Sequence, residues 1–316
     1  MIKTLVVASV CALALHEPAQ AQTTRTFVSA NGSDSDPCSR TQPCRTFQGA
    51  HDKTNSGGEI NVLDPAGYGV LTITKSISIV NEGVGSAGIL VPSGGIGITI
   101  RANAAAVINL RGLIIEGAGV GQTGILADPS YSLQSLTIEN CVIRGLTYEG
   151  ISYYARGSSS FGITNTLIAE IPVRGINVGP IASSGSAVVR GAFDRIEIYN
   201  IGQIGLWVNA GNLTASSVLN TTVVNSVVAN AGIGIALDAG GTTSQLLLDR
   251  SVIANNGVGG LRAGSANASL RVARSTVTGN NTGWFTIFSG AVLSYGDNYI
   301  DGNNGGESAP PSILKK

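Results

Sequence analysis

The sequence predicts an all-β solenoid, a stack of short coils in place of one compact core. Three observations predict it. First, a glycine followed by a large apolar residue recurs as Gly124-Ile125, Gly150-Ile151, Gly175-Ile176, Gly205-Leu206, Gly234-Ile235, Gly260-Leu261 and Gly283-Trp284, in steps of 26, 25, 30, 29, 26 and 23 residues. A period of that size means stacked structural units. Second, a run with a small residue in its middle repeats in the same rhythm: Ile138-Glu139-Asn140-Cys141-Val142-Ile143, Ile163-Thr164-Asn165-Thr166-Leu167-Ile168, Val223-Val224-Asn225-Ser226-Val227-Val228, Leu248-Asp249-Arg250-Ser251-Val252-Ile253 and Val272-Ala273-Arg274-Ser275-Thr276-Val277. Phe193-Asp194-Arg195-Ile196-Glu197-Ile198 fits the series with a one-residue slip. Third, the repeats alternate β-branched and polar residues with period 2, broken by Gly, Asn, Ser or Asp, and carry no sustained helical period, so they read as strands and turns.

Taken in order, residues 1–21 read as an export signal. Lys3 gives a basic start, Leu5 to Leu15 is apolar, and Ala19-Gln20-Ala21 is a small-x-small cleavage site that leaves Gln22 first. The apolar run is too short to span a bilayer, and no later segment is long enough. Cys11 leaves with the signal. Residues 22–69 form an N-terminal block that holds the pair Cys38 and Cys44 around a proline-rich turn. In an oxidising compartment the cysteine spacing permits a local disulfide. With His51 the one histidine of the mature chain, a zinc cluster lacks partners, so no metal site is expected. Residues 70–302 are the repeats, roughly nine coils and about 45 Å of stack. Residues 303–316 form a tail.

The repeat columns, together with Thr26-Phe27-Val28-Ser29, Asn31-Gly32-Ser33-Asp34, Pro43-Cys44-Arg45-Thr46-Phe47-Gln48, Gly57-Gly58-Glu59-Ile60 and Gly67-Tyr68-Gly69, resemble an exported bacterial right-handed parallel β-helix of the pectin-lyase-like superfamily. The resemblance implies a single-stranded solenoid in which residues 22–69 supply an N-terminal strand and a short helix, with Thr46 as its N-cap and Phe47 and Ala50 facing the first coil; the helix closes the N-terminal mouth and hides strand edges that would otherwise template aggregation. It leaves activity open, because members include lyases, hydrolases, epimerases, adhesins and proteins without chemistry. The hydrolases are expected to carry Asn-Thr-Asp, Asp-Asp, Gly-His-Gly and Arg-Ile-Lys, and none of these occurs. An alginate-epimerase-like Asp-Pro-His is here Asp128-Pro129-Ser130, without the histidine.

Composition excludes other classes. Lys plus Arg and Asp plus Glu both number 19, and no basic run offers phosphate an electrostatic footprint, so a nucleic-acid partner is not expected. Gly117-Ala118-Gly119 and Gly232-Ile233-Gly234 are not phosphate loops, since no Lys-Ser/Thr pair and no helix follow; they read as turns needing positive φ. No cofactor motif is present. Cys141 stands in a column of Thr and Ser, which predicts a buried free thiol in a packing role.

If the apolar residue of each Gly-apolar pair points inward, the next points out: Leu126, Ser152, Asn177, Trp207, Ala236 and Arg262. Two positions further on, Asp128, Tyr154, Asn209 and Asp238 fill a neighbouring outward column. Asp128, Tyr154, Asn177, Trp207 and Asp238 are therefore the candidate ligand-binding residues. Aromatic faces beside amides and carboxylates suit sugar rings, in a chain with only 5% aromatic residues. Glu149 and Arg174 both precede a Gly-apolar pair and are expected to meet as a surface ion pair, which is worth little. Arg190, Arg195, Arg250, Arg271 and Arg274 form a loose basic side. Catalytic residues are not identified. Two readings remain: an exported, non-catalytic glycan-binding or scaffold protein, periplasmic or extracellular, with polysaccharide as its partner; or a divergent carbohydrate-active enzyme, a polysaccharide lyase before a glycoside hydrolase.

Overall fold

Apolar residues met once per coil stack on their counterparts in the coils before and after. One such column runs Ile98, Ile125, Ile151, Ile176, Leu206, Ile235, Leu261 in unbroken parallel register, and each of its members is at most 1% exposed. The computed structural model describes residues 23–305 and 308–315; the expected signal segment, residues 1–21, lies outside the described residues. The chain is an all-β parallel solenoid of about nine turns. One side is an 11-stranded sheet running from Thr23–Val28 to Ala291–Ser294. The other strands form a 17-stranded sheet. It is continuous because the long strands Glu197–Asn209 and Val227–Asp238 each pair in both of its two series.

The recurring glycines of the Gly-apolar pairs do not mark turns of left-handed backbone. Gly124, Gly150, Gly175, Gly205, Gly234 and Gly260 lack positive φ. A Cβ on Gly150 would sit 2.5 Å from the carbonyl oxygen of Gly175, and one on Gly175 2.6 Å from that of Gly205. The same clash recurs at Gly124, Gly234 and Gly260, at 2.6, 2.7 and 2.7 Å. The coils approach too closely here for any side chain. This corrects the turn reading of Gly232-Ile233-Gly234, which lies within strand Val227–Asp238; of Gly117 and Gly119, only Gly119 has positive φ.

The left-handed corners are taken by other residues. Asn140, Asn165, Arg195, Asn225, Arg250 and Arg274 all have φ between 44° and 56°, a conformation asparagine tolerates better than most side chains. The following position, Cys141, Thr166, Ile196, Ser226, Ser251 and Ser275, is at most 2% exposed. There the hydroxyls of Ser226, Ser251 and Ser275 accept backbone N–H groups of Ile196, Ser226 and Ser251, at 3.2, 3.1 and 3.1 Å. Phe193 aligns with Ile163 and Val223 without the expected slip; Ile196 simply occupies the small-residue column. Cys141 is a buried free thiol, as its column predicts, and burial pushes its pKa up to about 11.

Cys38 and Cys44 form a disulfide. The one helix of the described residues, Phe47–Lys53, starts at Thr46, whose hydroxyl accepts the Gly49 N–H at 3.0 Å. Phe47 and Ala50 are buried, Phe47 against the ring of Tyr68 with centroids 5.0 Å apart.

Two measurements check this description. Gly150→Ala is expected to lower unfolding free energy by about 1–3 kcal/mol through overpacking. Gly162→Ala, where a Cβ meets nothing within 4 Å, is expected to change it by less than about 1 kcal/mol; denaturant titration of both variants is the comparison. Cys141 is expected to ignore a thiol reagent in the native protein and to react fully once denatured; rapid native labelling would contradict its placement.

Candidate functional site

Strands Glu149–Tyr153 and Arg174–Val178 pair with Glu149 opposite Arg174, Ile151 opposite Ile176 and Ser152 opposite Asn177. Asn177 in turn lies opposite Trp207. The close approach at the glycine column interrupts simple alternation, so that Glu149 and Ser152 meet on the outer face while Ile151, between them, is in the core. Ser152 Oγ donates a short hydrogen bond to Glu149 Oε2.

Glu149 is the centre of this face. Its side chain is 1% exposed, and Arg174 Nη1 donates to Oε1 at 2.6 Å. Asn177 Nδ2 donates to the same oxygen at 2.8 Å and to the Tyr154 hydroxyl at 2.7 Å. The Tyr154 hydroxyl donates to Glu149 Oε2 at 3.2 Å. Burial, then the Glu149 charge, raises the Tyr154 pKa above its ordinary value, so the phenol stays protonated at neutral pH. The Arg174 guanidinium carbon lies 4.5 Å from the Trp207 ring centroid and 5.8 Å from that of Tyr148. The expected surface ion pair is therefore a buried one, clamped by two aromatic rings. The reason is the covering provided by Tyr154 and Trp207, whose reach across coils the strand pattern does not reveal.

Two glycines make room for the column beside it. A Cβ at Gly179 would stand 3.0 Å from Tyr154 Cε1, and one at Gly264 only 1.7 Å from Asp238 Oδ1. Tyr154 and Asp238 thus lean over the coil that follows them. Asp238 accepts from Trp207 Nε1 at 2.5 Å and closely from Arg262 Nη2. Asp128 leans the other way: it pairs with Arg101 at 2.9 Å and accepts the Ser130 N–H at 2.9 Å. Burial opposes its ionisation, but the Ser130 and Arg101 contacts outweigh this and lower its pKa.

Of the five candidate residues, Tyr154 and Asn177 join around Glu149. Trp207 and Asp238 bond each other, and Trp207 links the two groups through Arg174. Asp128 stands apart. Glu149, Ser152, Tyr148 and Arg262 complete the assembly. The pairing of Glu149 with Arg174 was visible in their shared place in the repeat; the role of Tyr148 was not. On the basic side, Arg195 pairs with Asp194, and Arg250 and Arg274 both pair with Asp249. A surface cavity of about 780 Å³ lies by Leu247, Arg271, Tyr295 and Ile313 and shares no residue with the aromatic face. Among the described residues, no three His, Cys, Asp or Glu side chains gather as a metal site.

No protein-family model matches the sequence, and no curated protein matches it. Solved structures do resemble it. The pectate lyase Pel9A superposes with a TM-score of 0.62 at 16% identity, over 86% of this chain and 74% of that one. An alginate lyase from Paenibacillus sp. str. FPU-7 gives 0.58 at 17% identity, over 89% and 97%. A rhamnogalacturonan lyase gives 0.56 at 14% identity, over 85% and 75%. The chain thus has the right-handed parallel β-helix fold of the pectin-lyase-like kind. At such identities the likeness is one of fold, and function must come from the site.

Glu149→Ala is expected to destabilise the protein by about 3–5 kcal/mol, because it strands a partly buried guanidinium. An exposed pair such as Arg25–Glu59, whose side chains are 64% and 33% exposed, is expected to give less than about 1 kcal/mol on Glu59→Ala; thermal melting of both variants distinguishes the two.

Proposed function

We propose that this protein binds polysaccharide on the outer face formed by Tyr148, Tyr154, Asn177 and Trp207, without turning it over. The observation that carries the reading is the assembly of these side chains on adjacent coils around the clamped Arg174. Tyr148 is 40% exposed, and Trp207 is half-buried, so both offer ring surface beside polar groups, as sugar binding requires. The acidic groups of the face are engaged: Arg174 holds Glu149, Arg262 holds Asp238, and Arg101 holds Asp128. None is presented as a free base. Glu149 and Asp238 belong to coils three steps apart, about 14 Å at the interstrand spacing, which is wider than the roughly 5–9.5 Å of a glycosidase pair.

The second reading is a divergent polysaccharide lyase. It is favoured by the fold shared with three lyases and by the convergence of Tyr154, Glu149 and Arg174. Export to the periplasm or the cell exterior accords with the disulfide; no helix of the described residues is long and apolar enough to cross a membrane. We also read the helix Phe47–Lys53 as the cap of the N-terminal mouth.

A glycan array probed with the wild-type protein and Trp207→Ala tests the binding role. The expected outcome is binding to one polysaccharide class that weakens at least about tenfold in the variant, a change of roughly 1.4 kcal/mol. Accumulation of unsaturated sugar ends from the bound polysaccharide would replace the binding role with the lyase.

A further inference from the structure

We propose that the aromatic face is built for a neutral polysaccharide and disfavours one carrying uronate carboxylates. This rests on the polysaccharide-binding reading above and narrows it to a ligand class. A uronate needs an uncompensated cation, best an arginine whose planar fork is open to a carboxylate. The face contains arginines but spends their charge internally. Arg174 gives Nη1 to Glu149 at 2.6 Å and to the Tyr148 hydroxyl at 3.4 Å. Its Nε is buried, and its planar surface lies against Trp207 and towards Tyr148. Arg262 is bound to Asp238 and has its own Nε buried.

Arg101, on the coil before Asp128, is paired with it. Each cation on the face is thus matched by a carboxylate one coil away, and the side chains of Arg174 and Arg262 are both largely enclosed, at 19% and 15% exposed. A polyuronate laid along this face would bring its charges towards Glu149 and Asp238 as well as towards their partners. The nearest arginine along the chain without a carboxylate partner among the described residues is Arg156. It lies two residues beyond Tyr154 and donates to Ser183 Oγ at 3.0 Å. A neutral chain meets no such penalty, since its C–H faces need only ring surface, which exposed Tyr148 and half-buried Trp207 present.

The experiment is calorimetric titration of the wild-type protein with two panels, at low salt and at about 0.15 M salt. The neutral panel is cello-, xylo-, manno- and galacto-oligosaccharides; the acidic panel is oligogalacturonate and alginate oligosaccharides. The expected result is binding of a neutral member, insensitive to salt, with every acidic member at least about tenfold weaker. Glu149→Gln keeps an oxygen for Arg174 and places an amide towards the hydroxyls of Ser152 and Tyr154, but removes the compensating charge. It is expected to raise uronate affinity about tenfold and make it fall with salt. Asp238→Asn makes the same test at Arg262 if Glu149→Gln does not fold. Equal or tighter uronate binding by the wild-type protein overturns the proposal while leaving the polysaccharide site standing. Binding to neither panel overturns the polysaccharide reading and this proposal with it.

Discussion

The close approach of successive coils at the glycine column is the constraint on which the rest of the structure depends. A Cβ there would lie 2.5–2.8 Å from the carbonyl oxygen of the next coil, a distance that backbone on both sides cannot relieve. With glycine present, the coils settle into one register. The apolar residue that follows enters the core, and the residue that precedes it falls on the outer face. A one-residue slip would reverse every side chain beyond the column. The serine hydroxyls that accept backbone N–H groups at the corner hold the same register by a second means. Towards the C-terminal end a buried asparagine ladder does so again, Asn256 to Asn280 at 2.8 Å and Asn280 to Asn303 at 2.9 Å.

That register accounts for the site. Glu149 becomes a buried carboxylate because the coil after it supplies Arg174 and Asn177, and the coil after that supplies Trp207. An ion pair removed from water survives when its remaining hydrogen-bonding capacity is met. Here Ser152, Tyr154 and Asn177 meet that of the carboxylate. The result is a rigid, internally neutral polar cluster beneath aromatic rings. The solenoid positions it without long loops, since each participant comes from a strand or the residue flanking one.

Three lyases share the fold at 14–17% identity. What such distant chains have in common is the physics of stacking: inward aliphatic columns and parallel ladders. The chemistry of the outer face is free to vary coil by coil, which is why the shared fold does not by itself choose a function.

The sequence by itself determined the architecture, because a solenoid writes its core once per coil and the period, the apolar columns and the small-residue column are all local patterns. It also determined the disulfide pair, the Thr46 cap and the outward placement of Ser152, Asn177 and Trp207, which follow from short-range geometry. Only the tertiary structure decided what those outward residues do. Glu149 and Arg174 are 25 residues apart, and the difference between a weak surface pair and a buried one lay in the cover given by Tyr154 and by Trp207, the latter from one further coil. The same holds for Asp128, which turns to Arg101 on the coil before it while Tyr154 leans over Gly179 on the coil after. Direction of lean, burial and charge matching arise between coils, where packing of neighbours sets them and the periodic pattern of any one coil carries no record.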